Sequence, residues 1–86
     1  MSETLQVAII DDEADMRASI SQWLKLSGFK TLCFETANEA ITMLGSGFRG
    51  IVLSDIRMPG MDGMELLKRL HSVDAALPVI LITGHG

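Results

Sequence analysis

Four short strand-like runs, Leu5–Ile10, Phe29–Phe34, Ile51–Ser54 and Val79–Ile82, alternate strictly with three stretches of helical period. Strands joined by helices of this length pair in parallel, because each crossover returns the chain to the same end of the sheet. Leu5-Gln-Val-Ala-Ile-Ile10 is apolar and β-branched, the pattern of a strand buried on both faces. From Ala14 the period changes. Met16, Ile20, Trp23, Leu24 and Ser27 recur at helical spacing, which predicts an amphipathic helix with Trp23 facing the core. Asp11-Asp12-Glu13 opens that helix as an acidic cap, and Gly28 closes it. Thr36-Ala-Asn-Glu39 has the form of a capping box ahead of the stripe Ala37, Ala40, Ile41 and Leu44, which Gly45-Ser-Gly47 ends. Ile56 to Gly63, with Pro59-Gly60, reads as a loop. Asp62 and Glu65 form a further N-cap pair, and Met64, Leu66, Leu67 and Leu70 carry a third helix to His71. Pro78 restarts the chain as the last strand. The predicted order β-α-β-α-β-α-β is an α/β fold: a doubly wound parallel sheet with helices on both faces.

At 86 residues the chain amounts to one small domain, 1–86. With 48% hydrophobic and 21% charged residues it is too apolar for an intrinsically disordered segment. Eleven acids against seven bases leave a net charge of −4, the wrong sign for binding nucleic acid through its own field. No apolar run approaches the roughly 18–20 residues of a membrane span, and the opening Met1-Ser-Glu-Thr is no signal peptide. The one cysteine, Cys33, cannot form an internal disulfide; it reads as a buried strand residue and suits a reducing cytoplasm. The sequence stops at the carboxyl end of its most apolar strand. An apolar edge strand left in that state is expected to pair with another chain, giving a homodimer.

Chemistry in an open parallel sheet sits at the carboxyl ends of the strands. The first strand ends in Asp11 and Asp12, the third in Asp55 and the fourth in Thr83. Each signal is weak by itself: an acidic pair after a strand commonly caps a helix, and an aspartate before a Pro/Gly loop is commonly a turn residue. The conjunction is specific. Three carboxylates that converge repel one another unless a cation compensates. An oxygen-only donor set without His or Cys suits a hard divalent ion, Mg²⁺ above others. A carboxylate beside such an ion can act as a nucleophile toward phosphorus, with Thr83 placed to hydrogen-bond a phosphate oxygen.

Ile9-Ile-Asp-Asp-Glu13, Leu53-Ser-Asp-Ile-Arg-Met-Pro-Gly-Met-Asp-Gly-Met-Glu-Leu-Leu67 and Pro78-Val-Ile-Leu-Ile-Thr-Gly84 together resemble a response-regulator receiver (CheY-like) domain. The wording around Asp55 and the closing Leu-Ile-Thr-Gly-His-Gly are most similar to receivers of sigma-54-dependent transcriptional activators of the dicarboxylate-transport and nitrogen-regulation type. The resemblance implies a flavodoxin-like sheet of order 2-1-3-4, and a sensor histidine kinase as partner. It makes Asp55 the phosphoacceptor, with Mg²⁺ held by Asp11, Asp12, Asp55 and the backbone carbonyl of Arg57. Thr83 matches the switch hydroxyl, and Pro59 and Gly63 shape the loop after the acceptor. The helix–strand–helix that usually follows the threonine, with its lysine and its aromatic switch, has no counterpart in this sequence.

The other residues read more plainly. Arg17, Lys25, Lys68 and Arg69 are expected on solvated helix faces, His71 on a polar helix end, His85 in solvent, and the six methionines in core gaps and loop contacts. A phosphohydrolase of the haloacid-dehalogenase type is the enzymatic alternative. It wants a second acid two positions after the nucleophile, where this chain has Arg57. A nucleotide-binding fold would want a glycine-rich turn where Asp11-Asp12-Glu13 stands. A last alternative is a non-signalling, truncated chain that self-associates through its fourth strand.

Overall fold

The computed structural model describes residues 5–45 and 47–82. Its elements follow the order β1 (Gln6–Ile10), α1 (Ala14–Leu26), β2 (Lys30–Phe34), α2 (Ala37–Leu44), β3 (Gly50–Asp55), α3 (Gly63–Val73) and β4 (Val79–Ile82). The four strands form one parallel sheet of order β2-β1-β3-β4. β1 is therefore central, and its unalternating apolar run is accounted for: Val7, Ala8, Ile9 and Ile10 are all buried. None of the helices among the described residues is long and apolar enough to cross a membrane.

Side-chain parity assigns the helices to faces. Ala8, Ile10 and Val52 join Phe34, Ala37, Ala40, Leu44, Leu66 and Leu70 in one core, so α2 and α3 cover that side of the sheet. Residues of the opposite parity face α1, as the Ser21–Thr31 hydroxyl pair at 2.7 Å demonstrates. α2 and α3 start as their sequences dictate. Thr36 accepts from the Glu39 amide at 3.1 Å, and Asp62 accepts from the Glu65 amide at 2.9 Å. Gly45 closes α2 with φ +58°, a conformation that favours glycine.

α1 departs from expectation in its roll. The residues turned toward the sheet are Arg17, Ile20, Ser21 and Leu24, spaced i, i+3, i+4 and i+7. Trp23 is 72% exposed, and Met16 and Ser27 also face out, so the predicted core-facing stripe is wrong at these three positions. Polar contacts decide the roll: Ser21 pairs with Thr31, and Arg17 reaches back to the main chain at Asp11. Arg17 is accordingly half-buried, and the expectation of a solvated side chain fails. Cys33 is exposed, not buried, because β2 is an edge strand. The acidic cap of α1 is also absent in the form expected: the N-cap is Glu13, with no side-chain cap hydrogen bond. Of the methionines, Met58 lies in the core and Met61 packs against it, whereas Met16, Met43 and Met64 are exposed. His71 is half-buried, its Nε2 2.8 Å from the Leu77 carbonyl oxygen, so it ties α3 to the segment entering β4.

The loop from Ile56 to Asp62 leaves β3 and returns to it. The Gly63 amide donates to the Ile56 carbonyl at 2.9 Å, and the start of α3 lies flat against the end of β3. A Cβ on Gly63 would sit 2.5 Å from the Asp55 carbonyl oxygen and 2.9 Å from the Ile56 Cα, both backbone atoms that cannot swing aside. Glycine to alanine within a helix ordinarily stabilises by about 1 kcal/mol. Here the sign reverses. Gly63→Ala is expected to lower the urea midpoint with an unchanged m-value, and a midpoint equal to or above wild type would show that the close approach is not limiting.

Candidate functional site

The register of the sheet brings the acids together. The last pair between β1 and β3 is Ile10 with Ser54, and one residue further along each strand stand Asp11 and Asp55. Both are almost fully buried, at 5% and 4% exposure, while Asp12 on the loop is exposed. Asp11, Asp12 and Asp55 each offer one carboxylate oxygen, and these three atoms lie within 4.8 Å of one another. Residues more than forty positions apart in the chain thus share one acidic cleft.

Each buried acid is held by its own main chain. Asp11 Oδ1 accepts from the Glu13 amide at 2.9 Å, a turn that aims the carboxylate and leaves the helix uncapped by it. The Asp11 amide donates to the Phe34 carbonyl at 3.2 Å, which anchors the residue to β2. Asp55 Oδ1 accepts from the Arg57 amide at 3.3 Å, and its backbone carbonyl accepts from the Ser54 hydroxyl at 2.9 Å. These dipoles blunt the repulsion without removing it. If both are ionised, two carboxylate charges at this separation repel by on the order of 3 kcal/mol at an effective dielectric near 20.

The donor set fits a hard divalent cation. Octahedral Mg²⁺ with bonds of about 2.1 Å places its ligand oxygens roughly 3–4 Å apart, and it keeps several waters. The three carboxylate oxygens, within 4.8 Å of one another, fall in the range that such an ion and its waters span. Three oxygens of negative charge, two of them on buried strand ends, are the chemistry such an ion compensates.

Among the residues singled out from the sequence, Asp11, Asp12 and Asp55 converge, and Gly63 packs against the backbone of Asp55. Arg57 is exposed and touches the site through its amide, and Pro59 is exposed in the same loop. Beside Pro59, Gly60 takes φ +78°. Thr83 and His85 lie outside the described residues. Sequence reasoning missed Arg17, whose Nη1 donates to the Asp11 backbone carbonyl at 2.6 Å. Its place on the i, i+4, i+7 line with Ser21 and Leu24 was the available signal.

The profile of the response regulator receiver domain matches residues 7–86. The C4-dicarboxylate transport transcriptional regulatory protein DctD of Rhizobium meliloti (strain 1021) is 49% identical over 86 residues, which is 100% of this chain and 19% of that protein. The protein of the same name from Pseudomonas aeruginosa is 52% identical over 81 residues, covering 94% of this chain and 18% of the relative. The chain thus spans under a fifth of the length of these two curated relatives. Among solved structures, response regulator TrrA from Thermotoga maritima, in complex with Mg(2+)-BeF, superposes with a TM-score of 0.90 at 26% identity. That match covers 96% of this chain and 72% of TrrA. Parallel sheet, acidic strand ends and sequence agree: the chain belongs to the response regulator receiver domain family.

Proposed function

We propose that this chain is a phosphoacceptor module of a two-component system, taking a phosphoryl group from the phosphohistidine of a sensor histidine kinase onto Asp55. The observation that carries the reading is the convergence of Asp11, Asp12 and Asp55 within 4.8 Å. In the transfer, a carboxylate oxygen of Asp55 attacks phosphorus opposite the imidazole nitrogen. The new P–O bond forms as the P–N bond breaks, and its electron pair stays with the departing imidazole. Mg²⁺, when held by Asp11, Asp12, Asp55 and the Arg57 backbone carbonyl, supplies positive charge to the phosphoryl oxygens. The Arg57 amide, already bonded to Asp55 Oδ1, fixes which oxygen is presented. Pro59 and Gly63 hold the loop after the acceptor. Thr83 enters on the family resemblance, as donor to the transferred group.

The relatives' printed role in transcriptional regulation supports an attached output domain in the whole protein, which we place in the cytoplasm under a sensor histidine kinase's control. The net charge of −4 gives this segment no field of its own for nucleic acid. A homodimer through β4 is a second reading. Among the described residues β4 pairs on one side only, and Ile80 is 50% exposed. Sedimentation at micromolar concentration is expected to show the dimer, and a monomer with native far-UV circular dichroism would dismiss it.

Bound cation stabilises the folded state by mass action, by about 2.7 kcal/mol at a hundred times Kd. Mg²⁺ is therefore expected to raise the melting temperature, and Asp12→Asn to abolish most of that rise. An equal rise in the variant would reject Asp12 as a ligand. After incubation with a small-molecule phosphodonor and Mg²⁺, intact-mass measurement is expected to show one phosphoryl adduct on the wild type and none on Asp55→Ala. An undiminished adduct on the variant would reject Asp55 as the acceptor.

A further inference from the structure

We infer that Arg17 is a positioning residue for the acidic site, clamping the Asp11 carbonyl so that the β1–α1 turn presents Asp11 and Asp12 toward Asp55. The inference deepens the reading above and rests on it. Arg17 is the fourth residue of α1, yet its guanidinium turns back six residues to donate to the Asp11 carbonyl at 2.6 Å, a short charge-assisted bond. With it, the amide, the carbonyl and Oδ1 of Asp11 are all engaged. The amide donates to Phe34, the carbonyl accepts from Arg17, and Oδ1 accepts from the Glu13 amide. The first bond ties Asp11 to β2 and the second to α1. The third bends the chain so that Asp12 follows into the cleft.

α1 also meets this turn through main-chain amides, Arg17 donating to the Glu13 carbonyl at 3.0 Å and Glu13 to Asp11 Oδ1 at 2.9 Å. Its N-cap Glu13 makes no side-chain cap hydrogen bond. A second polar contact between α1 and the sheet, Ser21 with Thr31, lies four residues further along the helix. Without the Arg17 clamp, the peptide between Asp11 and Asp12 would lose its side-chain bond to the helix, and a bond of this kind around a metal site governs affinity through the orientation of the ligands.

Charge and position predict opposite signs. A guanidinium near a divalent ion repels it, so by charge alone removing Arg17 would tighten metal binding. By positioning, removal weakens binding, and a lysine, which keeps the charge and one donor, restores part of it. Manganese(II) serves as the probe, its free-ion electron paramagnetic resonance signal reporting affinity for the full chain. Arg17→Met is expected to bind about tenfold to a hundredfold more weakly than wild type, and Arg17→Lys to recover most of the loss. Ser21→Ala, which loosens α1 on the same face without touching the turn, is expected to bind as wild type does. Unchanged or tighter binding by Arg17→Met would overturn the inference, as would a loss in Ser21→Ala equal to that in Arg17→Met. Wild type that bound no manganese would overturn the metal-assisted reading and this inference together.

Discussion

Two carboxylates, Asp11 and Asp55, stand side by side at the ends of adjacent buried strands, and the architecture around them answers their mutual repulsion. Burial removes the water that would screen them, so compensation has to come from the protein or from an ion. The protein's share is made of fixed dipoles: the Glu13 amide on Asp11 and the Arg57 amide on Asp55. Both donors lie two residues after the acid they serve, so each aspartate folds its own following turn around itself. A doubly charged cation carries the sign of charge that would complete that compensation. The same local geometry that makes the acids tolerable when buried also brings an oxygen of each to within 4.8 Å of the other and of Asp12.

The scaffold makes that arrangement rigid. Immediately before the acids lie Ile10 and Ser54, both fully buried, and beneath them are Val52 and Leu66, also at 0% exposure. A site at the end of two strands whose preceding residues are locked in the core cannot relieve repulsion by splaying apart without opening that core. The loop after Asp55 is constrained in the same way. Met58 is in the core, Gly63 closes on the Asp55 backbone, and its amide bonds Ile56. The backbone of Asp55 is therefore in close contact with the start of α3.

Much of this was legible in the sequence because it depends on period and on capping chemistry. The β-α alternation gave the parallel sheet, and Thr36 and Asp62 announced the starts of α2 and α3 through the hydrogen bonds they make. The site was legible through topology. Asp11 and Asp55 close their strands, and strands that run parallel and adjacent bring such ends together whatever the separation in the chain. Taken singly, Asp11 reads as a helix cap, and the structure rejects that: its carboxylate serves the turn, and α1 begins without a side-chain cap.

The roll of α1 was not legible, and the reason is physical. A hydrophobic stripe locates the apolar side of a helix only when burial of apolar area decides its orientation. On α1, Met16, Trp23 and Leu26 are left outside while Arg17 and Ser21 turn inward. The contacts that win are short, directional and made to groups whose positions depend on the rest of the fold: the Asp11 carbonyl at the end of β1 and the Thr31 hydroxyl on β2. Neither partner can be located from the period of α1 alone. The exposure of Trp23 and the inward turn of Arg17 are thus one fact, since a helix that rotates to bring the guanidinium to Asp11 carries the indole off the sheet.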